Sequence, residues 1–450
     1  MNRPAATTPS ETARQLVHMS MGALALLLRY LAWWQGVALA AGAVLFNIFL
    51  LPRVAPQLYR PGDQARRLHG IIFYPASVLL LLLAFPRRPD IVAAAWGILA
   101  AGDGIATLAG RAIGGPRWPW NREKTVSGSV AFALFGAAAG VLLAWWCRPA
   151  ASPPPSPTFV LVAPIVAALV AALVETMPVR LDDNLSVAAT AGGVMALGSL
   201  VVLARLPDAA ALAMSRLPSA LALNASVASA GYFGRTVTIA GALTGALIGI
   251  TIYACTGWQG WILLLAAFAA ATAASRMGLT RKIVLGIAED RGGRRGPGNA
   301  IANTGVAAIA ALLAIAGSSE ELARLAFVTA LVAGGSDTIA SEIGKAFGRH
   351  TLSITSLRQV PPGTSGAMSL EGTAAGIAGA LVLGAAGVWL GLVPAELLVT
   401  IVAAATAGSL IESWLGATLE APGILNNDML NFINTGSAAL IAVALADWLS

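Results

Sequence analysis

The chain has 450 residues, of which 57% are hydrophobic and only 11% charged, with 48 glycines and a net charge of +7. A soluble chain carries roughly 25% charged residues, and so few charges could not cover a water-facing surface. The apolar runs recur from end to end without period-two alternation. That excludes a cytosolic enzyme, a disordered chain, a disulfide scaffold and a transmembrane barrel.

The predicted class is an all-α polytopic membrane protein. Spans need about 17–25 apolar residues. Their cores fall near 15–32, 35–51, 70–85, 91–110, 126–146, 158–175 and 186–204. The first is read as an uncleaved anchor, because Arg29 follows it and no small-residue cleavage site stands out. An eighth segment, 208–230, contains Arg216 and Pro218, and an amphipathic linker on the interface is its alternative. Seven more follow near 236–256, 259–275, 299–317, 322–343, 369–391, 394–413 and 428–448. The basic loops Arg53–Arg67, Arg111–Lys124, Arg276–Arg295 and Lys345–Arg358 share one side only if the chain crosses once between 205 and 233. The eighth span is therefore kept, which gives about 15 helices. The N-terminus and these loops are then cytoplasmic, in a prokaryotic inner membrane. Arg87 and Arg88 run mildly against the rule. The positive charge is accounted for by topology, so nucleic acid is excluded as a partner.

Two stretches repeat one order of motifs. Gly102-Asp103-Gly104 ends a span before a basic loop; Ser127-Gly128-Ser129 opens the next; then come Glu175 and Asp182-Asp183-Asn184. Ser336-Asp337-Thr338, Glu371-Gly372-Thr373, Glu412 and Asn426-Asn427-Asp428 follow the same order. The expected architecture is two parallel repeats of about seven helices plus a linking helix. The domains are 1–205 and 206–450.

Carboxylates inside apolar helices are costly and mark function. For Asp103 and Asp337 the plainer alternative is a solvated helix end or an ion pair with a loop arginine. Carboxylates with Asn and hydroxyl neighbours are hard oxygen ligands that suit Mg²⁺ with substrate phosphates. Helix starts at Gly128-Ser129 and Gly372-Thr373 are expected to offer backbone N–H groups to phosphate. Arg122, Lys124, Lys282, Arg294 and Arg295 add positive charge for polyphosphate oxygens. Together these parts make a phosphoryl-transfer kit. No P-loop, dinucleotide fingerprint or zinc cluster is present. His18 is either an interfacial histidine bonded to a carbonyl, or a general base or phosphate contact.

The first half resembles the CTP-dependent polyprenol kinases, phytol kinase above all and dolichol kinase more distantly. The likeness rests on Arg14-x-x-x-His18-x-x-x-Gly22, Gly70-x-x-x-Tyr74-Pro75, Gly102-Asp103-Gly104, Lys124-Thr125-x-x-Gly128-Ser129, and Glu175-x-x-Pro178 with Asp182-Asp183-Asn184. The second half resembles the phytyl-phosphate kinase family. That likeness rests on Gly286-Ile287-Ala288-Glu289, Gly293-Arg294-Arg295, Asn299 to Asn303, Ser336-Asp337-Thr338 through Glu342, Gly363-Thr364-Ser365-Gly366, Glu371-Gly372-Thr373, and Gly408-Ser409 onward. Ser127, Arg235 and Ser336 depart from the pattern, and none of them removes a carboxylate. The resemblances imply a fusion in which one half phosphorylates an isoprenoid alcohol and the other phosphorylates the resulting monophosphate. They imply CTP as donor. His18, Asp103 and Asp337 are the expected catalytic residues. Asp103, Glu175, Asp182 and Asp183 are expected to hold Mg²⁺ in one site, and Asp337, Glu342, Glu412, Asn427 and Asp428 in the other. Substrate or nucleotide contacts fall on Arg14, Lys124, Gly128, Ser129 and Asn184, and on Lys282, Arg294, Arg295, Asn299, Asn303, Gly363 to Gly366, Gly372 and Thr373. The partners are the two isoprenoid substrates, the nucleotide and the bilayer; a homo-oligomer is compatible with all of this. Rivals are a lipid-phosphate cytidylyltransferase and a duplicated ion-coupled transporter.

An alcohol must lose a proton and benefits from a base, whereas a phosphate monoester is already an anionic nucleophile that needs cations. Aligning Arg14 with Arg235 without gaps puts Ile239 opposite His18, while the second half has the denser cluster Arg291, Arg294 and Arg295.

Overall fold

The computed structural model describes residues 11–54, 70–178, 181–287, 294–420 and 423–449. Arg67, Ala288, Glu289, Arg291 and Gly293, which entered the sequence patterns, lie outside the described residues. In lipid every backbone N–H and C=O must be satisfied internally, and the described chain is accordingly almost all helix. It forms two compact units, Met1–Leu200 and Val201–Ser450.

In the first unit, α1 (Glu11–Met21) continues as a 3₁₀ segment to Arg29, and α2 (Trp33–Leu45) runs through a π-helical turn into α3 (Leu51–Val54). After α4 (Gly70–Ala84), α5 (Pro89–Gly97) passes through a π-helical stretch, Ile98–Asp103, into α6 (Gly104–Ile113). Then come α7 (Val126–Cys147), α8 (Pro157–Glu175) and α9 (Asp183–Ser199). Their starts are capped as side-chain chemistry prescribes: Thr125 accepts from Gly128 N–H, Ser156 from Phe159 N–H, and Asp182 from Asn184 N–H.

The second unit holds α10 (Leu206–Phe233), α11 (Ile239–Arg276), α12 (Leu279–Val284), α13 (Pro297–Ala316) and α14 (Glu320–Phe347). A short hairpin follows, β1 (Thr351–Ser353) antiparallel to β2 (Ala367–Ser369), with Thr351 opposite Ser369. The unit ends with α15 (Leu370–Trp389), α16 (Leu398–Leu415) and α17 (Asn427–Leu449).

The predicted span cores fall mainly in helical structure, with residues 200–202 and 236–238 among those outside it. The expected count of 15 is not reached: α10, the doubtful eighth span, is long enough yet is not among the helices apolar enough to cross. Among the described residues, ten helices are long and apolar enough to cross a membrane. The 15 residues of α4 and the 17 of α9 fall short of that length. The predicted pair 236–256 and 259–275 corresponds to the two arms of α11, which are separated by Gly257 in a left-handed backbone conformation (φ 74°). Gly249 and Trp261, one on each arm, both meet the Asn224 side chain, so the arms double back at Gly257.

One helix is the core of each unit. Pro89–Ile113 has 72% of its apolar window buried, against 6% for Trp33–Val54 at the periphery. Glu320–Phe347 has 61%, against 28–39% for the other spanning helices of its unit. These two central helices carry Asp103 and Asp337. Large apolar side chains on the outer helices remain exposed, as a lipid-facing belt requires.

Candidate active sites

In the first unit Asp103 closes the π-helical stretch, a local widening common at functional sites. Its neighbour Gly104 lets α1 come close, since a Cβ there would overlap the Met19 side chain. That approach puts His18 Nε2 3.7 Å from Asp103 Oδ2 and 3.4 Å from the Leu99 carbonyl oxygen. Tyr74 OH donates to the His18 carbonyl at 3.3 Å, its ring stands edge-on to the imidazole at 4.6 Å, and Trp96 Nε1 donates to the Tyr74 oxygen at 2.9 Å. The histidine is therefore both carbonyl-bonded and beside the acid, so both sequence alternatives keep a structural basis. Arg14, one turn earlier, lies within electrostatic reach of Asp103.

Lys124, just before α7, reaches Glu175 at the end of α8 and Asp183 Oδ2 at the start of α9, the latter at 2.9 Å. Asp103, Glu175 and Asp183 each present an oxygen, all within 4.8 Å of one another. Burial pulls the Lys124 pKa down, but Asp183 and Glu175 outweigh it and hold the ammonium above the ordinary lysine range. With all three carboxylates ionised, Lys124 together with the nearby Arg14 still leaves negative charge unbalanced. Hard oxygen donors with that residual charge fit a divalent cation. Asn184 Oδ1, buried without a hydrogen-bond partner, points to the same chemistry. Asp182 instead caps α9 and also accepts from Asn184 Nδ2 at 2.7 Å. The expectation of a free N–H at Gly128 is corrected: Thr125 Oγ1 takes it at 3.2 Å, and Ser129 Oγ accepts from Trp118 Nε1 at 2.9 Å.

In the second unit a polar cavity of about 690 Å³ gathers most of the expected residues: Arg294, Arg295, Asn299, Asp337, Glu342, Gly363 to Gly366, Gly372, Thr373, Glu412, Asn427 and Asp428. Ser409 Oγ donates to Asp337 Oδ1 at 2.6 Å. Glu412, one turn further along α16, lies beside Asp337, and its Oε2 is buried without a hydrogen-bond partner. Two adjacent buried carboxylates do not both ionise without a counter-charge, and this pair therefore also fits a divalent cation. Asp428 at the start of α17 packs so tightly on α13 that a Cβ on Gly298 would overlap its carboxylate. The connection between β1 and β2 returns to the cavity through Gly363 and Gly366, at φ 85° and 69°.

Two expected contacts lie elsewhere, and two have other partners. Lys282 is fully buried and does not line the cavity; its Nζ donates to Glu342 Oε2 and to the Ser275 carbonyl, each at 2.6 Å. Lys345 takes Glu342 Oε1 at 2.9 Å, so both Glu342 oxygens face lysines and this carboxylate anchors cations of the chain itself. Asn303 lines a neighbouring apolar cavity. The Gly372 N–H is capped by Ser369 Oγ at 3.1 Å. The structure adds Lys345 and Asn431 to the cavity lining, with Asn434 beside Glu412, and also Ser409, which the sequence reading named only within a family motif. Asn427, Asn431 and Asn434 stand at i, i+4 and i+7, a polar stripe on an apolar helix, and that spacing is a signal that could have revealed them.

Residues 222–439 match the family model described as Integral membrane protein DUF92. An uncharacterized membrane protein of Synechocystis sp. is 40% identical over 203 residues, covering 44% of this chain and 78% of that protein. Protein VTE6, chloroplastic, of Arabidopsis thaliana is 37% identical over 211 residues, 45% of this chain and 63% of that one. A probable phytol kinase 3, chloroplastic, of Glycine max is 30% identical over 203 residues, 42% of this chain and 62% of that one. No solved structure matches the chain.

Proposed function

The chain belongs to the family of integral membrane proteins described as DUF92, and on that footing we propose that it is a bifunctional isoprenoid salvage kinase. Its first unit phosphorylates a prenyl alcohol such as phytol or geranylgeraniol. Its second unit phosphorylates the monophosphate to the diphosphate, with CTP as the donor that the family resemblance implies. The two units are read as parallel repeats, each with its head-group site at the cytoplasmic boundary of a prokaryotic inner membrane. In support, Lys124 stands in one site and Arg294, Arg295 and Lys345 line the other. A relative named as a probable phytol kinase supports the alcohol step.

The observation that carries the proposal is the polar cavity of the second unit. Carboxylates, arginines, a lysine and a glycine-rich loop converge there on a space large enough for phosphate groups. A bound Mg²⁺ offsets the charge of nucleotide phosphate oxygens. In the first unit, Asp103, Glu175 and Asp183 would hold it, and Lys124 is placed to turn toward a phosphate. His18, held by Tyr74, accepts the alcohol proton. In the second unit, Asp337 and Glu412 would hold the ion, while Arg294 and Arg295 offset repulsion between the two anionic substrates.

The test supplies purified protein with Mg²⁺ and labelled CTP or ATP, first with phytol and then with phytyl monophosphate. Asp103→Asn should lose the alcohol step and Asp337→Asn the monophosphate step, each by on the order of 10²-fold or more. Release of pyrophosphate with a CDP-lipid product would replace the kinase by a cytidylyltransferase.

A further inference from the structure

A second cavity of the second unit, about 140 Å³, is walled by α10, α11, α13 and α14. Its surface is mainly alanine, glycine and aliphatic side chains, and Trp261 Nε1 donates to the buried Asn224 Oδ1 at 3.1 Å in its wall. Arg295, Asn299 and Thr338 line both this cavity and the polar one, so the two spaces adjoin along those residues. An apolar cavity meeting a cation-bearing polar cavity has the shape of one ligand class: an anionic head group on a hydrocarbon chain.

We propose that this cavity receives the head-end isoprene unit of a prenyl monophosphate whose phosphate lies in the polar cavity. The proposal rests on the kinase reading of that polar cavity and adds the seat of the tail. An engineered apolar cavity of about 150 Å³ takes up benzene, so this one holds roughly six carbons, on the order of one isoprene unit. The rest of the chain leaves past Gly245, which is exposed on the cavity wall with no atom within 4 Å of where a Cβ would stand. Recognition then reads the branched hydrocarbon next to the phosphate, and tail length beyond it matters little. Geranyl, farnesyl and phytyl monophosphates are accepted alike, whereas a straight-chain alkyl monophosphate is disfavoured.

The experiment uses the full chain in lipid nanodiscs and a farnesyl monophosphate carrying a diazirine in its first isoprene unit. Illumination should label α10, α11, α13 or α14, the four helices that wall the cavity. Unlabelled geranyl and phytyl monophosphates should compete equally, and farnesane, which has no head group, should not. Gly245→Leu fills the opening while raising helix propensity, and Ala300→Leu fills the cavity from α13. Each should cut labelling at least five-fold with unchanged elution as a single species. Labelling on other helices, labelling unaffected by both variants, or equal competition by farnesane would overturn the tail site. Labelling needs no turnover, so loss of the kinase reading is separable. Labelling as expected without phosphoryl transfer would refute the kinase and leave the tail site, and transfer without such labelling would do the reverse.

Discussion

Lys124 is the residue on which the first site turns, because it holds Glu175 and Asp183 together. Glu175 is buried, and removing one partner of such a pair costs about 3–5 kcal/mol. Lys124→Ala should therefore lower the melting temperature. Three carboxylates without the lysine attract a divalent cation more strongly, and saturation at a hundred times Kd restores about 2.7 kcal/mol. Mg²⁺ should thus raise the melting temperature of Lys124→Ala more than that of the wild type in scanning fluorimetry. An equal response would remove the metal from this site. His18→Ala should slow the alcohol step by roughly 10²–10⁴-fold, the usual weight of a general base, and leave the monophosphate step intact. Equal loss of both steps would refute its assignment. At this scale the acids were legible because a carboxylate in an apolar helix demands a reason. What they touch was not. Glu342 reads as a metal ligand until Lys282, 60 positions away in sequence, is found against it. Ser409 belongs to a motif in the sequence, but its tie to Asp337 shows only in the fold.

Among elements, α11 shows how an apparent anomaly in α10 becomes a requirement. Arg216 made the span 208–230 doubtful as a sequence. In the fold its guanidinium donates to the carbonyls of Ala254 and Cys255, at 3.3 and 3.0 Å, just before the turn at Gly257. A charged donor thus reaches two carbonyls next to the turn where water is scarce. Gly257 has φ 74° and ψ −165°, a region almost closed to other residues, and Gly257→Ala should cost about 1–3 kcal/mol. Thermal unfolding in detergent checks this; an unchanged midpoint would mean that the turn is not constrained. Because both arms wall the apolar cavity, the same variant should also weaken prenyl labelling. Apolar runs located the long helices here, because hydrophobic length is what the bilayer selects, while the short α12 fell in what reads as a basic loop. They placed α4 to within a residue but did not show that α9 ends at Ser199, since an unbroken apolar run carries no mark of its own termination.

For the whole molecule, the proposed pair of sequential kinases on one chain predicts that the monophosphate is consumed before it escapes. Linked sites see one another at effective concentrations on the order of millimolar. Conversion of labelled phytol to the diphosphate should resist dilution by added unlabelled phytyl monophosphate. A mixture of Asp103→Asn and Asp337→Asn proteins should lose that resistance while still making the diphosphate. If the wild type dilutes as the mixture does, joining the units has no kinetic value. The recurrent order of acid, basic loop, helix start and Asn/Asp cluster was legible along the chain; the burial of the acid-bearing helix at the centre of each unit was not, because centrality belongs to packing and not to pattern. That centrality bears on biosynthesis. The helix Glu320–Phe347 has the lowest mean hydropathy of the ten, 1.3, and it packs on α15, α16 and α17, all of which emerge later from the ribosome. A nascent chain arrested before Asn427 would present Asp337 and Glu412 to lipid, and membrane integration of this segment should be incomplete until the final helix is translated.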